Sequence, residues 1–212
     1  DGSSQRARLG LGDDFAAVYF GAMGHANGLE YAVEAATVLR QRGVRGIKLV
    51  LHGDGGRRAA LEQLVAQRQL DNVVFSNPVP DKAEVARIVA ACQAGLTIYA
   101  HTDTEQSWSP NKMFDALAAG KPVLVNVGGW LGDTIEKNQA GCFVDPYDPS
   151  KLADALIQLA ADPARCRKLG ENARRLATRE FSRDALADRL EGVLRSAVEL
   201  GTAPKTRQGI TP

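Results

Sequence analysis

The sequence has little of what marks a disulfide scaffold, a membrane protein or a nucleic-acid binder. Its three cysteines, Cys92, Cys142 and Cys166, lie far apart and at no zinc or redox spacing. They predict small core residues in a reducing compartment. No apolar run approaches the roughly 20 residues of a membrane span, and no signal-peptide pattern opens the chain. Neither sign of charge dominates: 26 Lys and Arg face 25 Asp and Glu, for a net charge of +1. That balance excludes a broad electrostatic surface for nucleic acid. Internal repeats and low-complexity tracts are also missing. What is present, 44% hydrophobic and 24% charged residues over 212 positions, suits one sizeable globular domain.

Both ends read as edges of that domain. Residues 1–14 are rich in Gly, Ser and charge, which predicts a linker from a preceding domain. Residues 15–200 form the domain, and 201–212 read as a flexible tail. Short apolar runs predict strands at 16–20, 47–52, 73–75, 96–99, 123–126 and 142–144, nearly continuous in Val, Ile, Leu and Phe. Helices are expected at 29–42, 57–68, 83–91, 110–119, 131–138, 149–161, 164–179 and 183–200. Their starts carry caps: Asn27-x-x-Glu30 and Asp81-x-x-Glu84 as capping boxes, Asp148-Pro149, Asp162-Pro163, and Ser182. The alternation predicts a doubly wound α/β fold, a mostly parallel six-stranded Rossmann-like sheet with ligands at the strands' carboxyl ends.

The strand-end loops carry the candidate chemistry. Gly21, Gly24 and Gly28 follow the first strand. They permit either close approach to a phosphate or a tight turn with Asn27 as helix cap. Their spacing is not the dinucleotide fingerprint. His52 and Asp54 follow the second strand, where a structural histidine and a turn aspartate are the simpler reading. Asn77, Pro78 and Val79 stiffen the loop after the third strand, as a rigid connector or a wall for a flat base. His25 and His101 also lie in such loops, and Asn126-Val-Gly-Gly129 after the fifth strand, with Asp133 at the start of a helix, makes another corner. The arginines of 165–175 read as a solvated helix face.

The segment 109–125, SPNKMFDALAAGKPVLV, is the most informative. Ser109 predicts an N-cap and Pro110 the first helical residue. Met113, Phe114, Leu117 and Ala118 form an apolar stripe opposite Asn111, Lys112 and Asp115. Gly120 and Pro122 end the helix before Val123 starts a strand. Lys112 and Asp115 could form a surface ion pair. Alternatively they act on one nucleotide, Lys112 and the helix amides on a diphosphate and Asp115 on a ribose. Glu105, Ser107 and Trp108 stand just before, where a sugar could be faced.

Taken in order, these pieces resemble the C-terminal, donor-binding domain of retaining GT-B glycosyltransferases of group 1 (glycosyltransferase family 4). The resemblance runs from about Phe15 to Leu200, nearly the whole structured part, and its landmarks stand in order: the glycine loop, Leu49–Gly55, Val73–Pro80, the DALAAGKPVLV block and Ala140–Pro146. The resemblance implies retaining transfer of a sugar from a nucleotide diphosphate, most often UDP, without a metal or other cofactor. It implies a glycan or lipid-linked acceptor, bacterial surface polysaccharide synthesis, and a cytoplasmic setting at the inner face of the membrane. An N-terminal acceptor domain would complete the enzyme and meet the last helix, and this part alone would turn over poorly. Gly21, Gly24, Asn27, Asn77–Val79, Glu105, Ser107, Ser109–Met113 and Asp115 are the implied donor contacts, with Lys112 and Asp115 catalytic.

The chain departs from the family pattern at four places, one of them Asp115, which stands where a glutamate is more usual. Ala22 and Asn27 stand where the pattern has an arginine and a lysine on the diphosphate, and Ser107 where it has an acid. Lys112 would supply the positive charge. Two other readings fit these departures: a sugar-nucleotide epimerase of the same architecture, or a non-catalytic nucleotide-binding or assembly module.

Overall fold

A computed structural model describes residues 2–100 and 110–202. Helix α1 (Gly2–Arg8) leads into β1 (Phe15–Phe20), a 3-10 turn at His25–Asn27, α2 (Glu30–Gln41) and β2 (Ile47–His52). Then come α3 (Arg58–Gln67), β3 (Val73–Ser76), α4 (Lys82–Ala91) and β4 (Ala94–Thr97). The second half runs α5 (Asn111–Ala118), β5 (Val123–Val125), α6 (Trp130–Lys137) and β6 (Gly141–Phe143). It closes with α7 (Pro149–Ala161), α8 (Pro163–Glu180) and α9 (Arg183–Thr202). All six strands are parallel, in the order β3-β2-β1-β4-β5-β6. This is the Rossmann-like sheet that strand–helix alternation predicts.

Alternate residues of each strand feed two cores, one per face. Ala17, Tyr19, Leu49, Leu51, Leu96 and Leu124 pack under α2, α3 and α7. Ala16, Val18, Val50, Val123 and Val125 pack under α4, α5, α6 and α8. The strand order reverses between β1 and β4. Loops leaving their carboxyl ends therefore diverge and open a crevice, where open α/β sheets bind ligands.

Several local starts behave as their chemistry requires. Asp81 accepts from Ala83 N, Asp148 from Ser150 N and Asp162 from Arg165 N. Asn27 does not cap α2: its Oδ1 accepts from Gly24 N, while Glu30 is drawn to Arg57. Glu84 likewise leaves its expected box to pair with Arg8 at 2.9 Å. Ala116, rather than Ala118, joins Met113 and Leu117 against the sheet. Gly95 makes that seat possible, since a Cβ there would come within 2.7 Å of the Ala116 methyl.

Residues 2–14, expected as a linker, are folded against the domain. Helix α1 packs on α4, Leu11 is wholly buried, and Arg6 ties the segment down. Its guanidinium donates to the carbonyls of Ala91 at 2.7 Å, Gly12 at 2.8 Å and Asp14 at 2.6 Å. Composition misleads here because one arginine satisfies carbonyls that a linker would leave to water. Arg6→Ala should lower the unfolding free energy by about 2 kcal/mol, as charged hydrogen bonds to backbone are lost. Urea denaturation would show it, and an unchanged midpoint would mean that α1 is only draped on the domain. The tail at 203–212 lies outside the described residues.

Candidate functional site

The carboxyl ends of β1 and β2 are locked together through their backbones. Gly21 N donates to His52 O, Met23 N to Asp54 O, and Arg57 N to Met23 O. Met23 is fully buried and pins the glycine loop into the core. Gly53, at φ +138°, lies so close that a Cβ there would overlap the Gly21 carbonyl. Gly28, at φ +51°, lets the 3-10 turn press on β4's extension, where Ala100 N donates to Ala26 O at 3.0 Å. His52 is structural, as expected: it is buried, with Nδ1 3.0 Å from Ser76 Oγ on the neighbouring strand. Burial holds its pKa below the ordinary histidine value. Asp54 supports its own turn by accepting from Gly55 N at 2.8 Å.

These loops and the β3 loop enclose a cavity of about 330 Å³ whose lining includes Gly21, Ala22, His52–Asp54 and Pro78–Val79. A larger one, about 720 Å³, opens at the amino ends of the strands between Asp14, Arg45, Lys48 and Asp71. Size does not decide between them. In a parallel sheet the diverging loops and free helix amides are at the carboxyl edge.

Lys112 reaches into that edge from the first turn of α5. Its Nζ donates to the Tyr19 hydroxyl at 2.9 Å and lies 4.3 and 4.6 Å from the ring centroids of Tyr19 and Tyr99. Its Cε stands 3.8 Å from where a Cβ on Gly21 would be, so the ammonium is beside the glycine loop. Among the described residues, the Tyr19 hydroxyl is its one hydrogen-bond partner and no carboxylate pairs with it. Burial lowers its pKa to about 8. A half-buried ammonium held between two aromatic faces, with no counter-ion among the described residues, is arranged to receive an anion.

The remaining candidates are placed unevenly. Gly21, Gly24 and Asn27 belong to the glycine loop, Pro78 and Val79 line the cavity across from it, and Asn77 is exposed just before them and is not part of that lining. Pro110 is the N-cap, in extended conformation (φ −80°, ψ 120°), and not the first helical residue. Asn111 is exposed at the helix start, where the first amides have no intrahelical partner. Asp115 is exposed one turn on and makes no pair with Lys112, so the surface ion-pair explanation does not hold. Met113 is not a contact residue: its side chain is fully buried in the core beneath α5. His101, Glu105, Ser107, Trp108 and Ser109 lie outside the described residues.

Three residues to which the sequence alone gives no role join the site. Tyr19 and Tyr99 flank Lys112, and buried Asn126 fixes Tyr99 by bonding both its N–H and its C=O at 2.9 Å. The chain has only four tyrosines, and two of them fall near the ends of the central strands β1 and β4. That scarcity was the available signal. Among the described residues no cluster of three or more His, Cys, Asp or Glu is placed to hold a metal ion, and Cys92 is inert, its thiol pushed up to about 12 by burial.

Known proteins share this framework. The chain is 28% identical over 200 residues to alpha-D-kanosaminyltransferase of Streptomyces kanamyceticus, covering 90% of this chain and 48% of that one. It is 29% identical over 197 residues to a GDP-mannose-dependent alpha-(1-6)-phosphatidylinositol monomannoside mannosyltransferase of Mycobacterium tuberculosis, over 90% and 50% of the two chains. The chain thus spans about half the length of these relatives. Among solved structures, Anabaena HepE in complex with UDP superposes with a TM-score of 0.79 at 19% identity, over 92% of this chain and 52% of that one. The C-terminal domain of the group 1 glycosyl transferase LpcC of Francisella tularensis superposes with a TM-score of 0.68 at 21% identity, over 86% and 94%. The fold is that of the C-terminal half of a GT-B structure. Residues 3–176 match the family of glycosyl transferases group 1, and the chain belongs to that family.

Proposed function

We propose that this chain is the donor-binding half of a retaining glycosyltransferase that uses a nucleoside diphosphate sugar. The observation that carries the reading is Lys112, an ammonium set beside the glycine loop with no counter-ion among the described residues. In this reading Lys112 and the amides at Asn111 and Lys112 hold the diphosphate. Asp115 takes the ribose hydroxyls, and Pro78–Val79 wall the base. When the bond from the anomeric carbon to the diphosphate oxygen breaks, its electron pair stays on the diphosphate. The Lys112 charge stabilises the negative charge that develops there. No metal takes part in this scheme.

UDP is the first choice of nucleotide, supported by the HepE complexes with UDP and UDP-glucose. The mannosyltransferase relative makes GDP the necessary comparison. The acceptor is a glycan or a lipid-linked glycan, met on an N-terminal domain across the cleft, on the cytoplasmic side of a membrane. No helix among the described residues is long and apolar enough to cross a membrane. Helix α9 supports the missing partner: Leu186, Leu190, Val193, Leu194 and Val198 are exposed and recur along one side of it.

Calorimetry with UDP and GDP tests the reading. Lys112→Ala and Asp115→Ala should each weaken binding of the preferred nucleotide by about 1–3 kcal/mol. The affinity should also fall as pH rises through about 8, because the free site loses its proton there while a bound diphosphate holds it on. The groups facing Lys112 among the described residues are Tyr19 and Tyr99, whose burial keeps both neutral across that range. Variants that bind like the wild type, with no dependence on pH, would end the proposal.

A further inference from the structure

We propose that Tyr19 is the positioning residue of this site, fixing the Lys112 ammonium over the glycine loop. The inference rests on the donor-binding reading of Lys112 and assigns the device that makes it work. A lysine on a helix carries four flexible carbons, and its ammonium could sweep several ångströms. A guanidinium rooted in the glycine loop itself would need no such restraint. Here the loop has Ala22, and the charge arrives from another element, so its position must be imposed.

Tyr19 imposes it through one oxygen. The hydroxyl has a single proton, and that proton goes to the Ala22 carbonyl at 2.5 Å. Its lone pairs are left to accept, and Lys112 Nζ donates to them at 2.9 Å. The direction of the hydroxyl is thereby set by loop backbone, so the ammonium is registered to the loop that would carry the phosphates. The ring below adds a second restraint, its centroid 4.3 Å from Nζ, and Tyr99 closes the other side at 4.6 Å. The Asn126 clamp holds the Tyr99 backbone. All of these partners are uncharged, so they orient the cation without neutralising it. Two of its three N–H groups have no partner among the described residues.

A double-mutant cycle on UDP affinity tests this. Tyr19→Phe keeps the ring and its packing and removes only the oxygen. It should weaken UDP binding about five- to tenfold in the wild-type background and less than about twofold where Lys112 is already methionine. A merely structural role for Tyr19 gives the same loss in both backgrounds, and that result overturns the proposal. So does unchanged affinity of Tyr19→Phe while Lys112→Met alone loses binding. If Lys112→Met itself binds UDP like the wild type, the donor-binding reading fails, and this inference with it. Thermal melts of each variant, without nucleotide, show that the affinities compare folded proteins.

Discussion

Lys112→Met should give a protein that is more stable than the wild type and that binds UDP more weakly, by about 1–3 kcal/mol. The lysine's pKa falls from 10.5 to about 8 in the folded protein because burial disfavours its charge. A lowered lysine pKa means that the unfolded chain holds the proton more tightly than the folded one. Below about pH 8 the ammonium therefore opposes folding by its full amount. Between about 8 and 10.5 that opposition fades as pH rises, and above it the group is neutral in both states. The shift sets a ceiling near 3 kcal/mol, and attraction to the two rings and the Tyr19 oxygen offsets part of the cost. A gain of roughly 1–3 kcal/mol at neutral pH is expected, or a few degrees in melting temperature. Methionine suits the substitution because it keeps an unbranched apolar stem in the same channel. At a fixed concentration UDP should raise the melting temperature of the wild type more than that of the variant. Equal or lower stability of Lys112→Met at neutral pH would show that the charge is not under strain.

The second large effect is expected at Gly53. Its φ of +138° is a region that other residues avoid, and a methyl there would overlap the Gly21 carbonyl oxygen. Its N–H donates to Ser76 O, and its carbonyl accepts from Arg58 at 2.7 Å. Backbone is thus held on three sides, and the loop cannot retreat. Gly53→Ala should cost about 3 kcal/mol or more, combining a forbidden dihedral with a backbone clash. Because the displaced partner is Gly21, what nucleotide binding survives should weaken as well. Gly56→Ala is the internal control, since a Cβ there meets nothing within 4 Å. It should be as stable as the wild type. A Gly53→Ala protein with wild-type stability and UDP affinity would mean that the two loops are not in fixed contact.

Much of the fold was legible because local and global signals agree. Strand β2 (Ile47–His52) and helix α7 (Pro149–Ala161) have the bounds that their patterns predict. A continuous apolar run marks the first, and Asp148-Pro149 marks the start of the second. Strand β4 lies two residues earlier than expected, at Ala94–Thr97. Ala94 and Gly95 carry too little apolar bulk to signal burial, yet Gly95 is where α5 approaches closest. Helix α1 was hidden for the opposite reason: its composition is polar, and its anchoring comes from Arg6 and from Leu11 beyond its end.

The candidate site was legible at its corners and not in its walls. Glycines and prolines announce turns by their own backbone limits, so Gly21, Gly53 and Pro78 could be placed from sequence. Tyr19, Tyr99 and Asn126 act through contacts between residues far apart in the chain, which spacing does not encode. Met113 shows the converse. It lies within the most informative segment but on its inward face, so nearness in sequence to Lys112 gives it no contact with the crevice.

The lysine beside Gly21 comes from a helix, 93 positions away from the tyrosine it bonds. A comparison made column by column would score the glycine loop as having lost its cation. In the proposed reading the positive charge is supplied instead by Lys112, from helix α5. Charge at a phosphate-sized corner can therefore be transplanted between elements, whereas the interlocked backbone around it cannot. Members of this family with an apparently neutral loop are better judged by the electrostatic potential at that corner than by the identity of any single aligned residue.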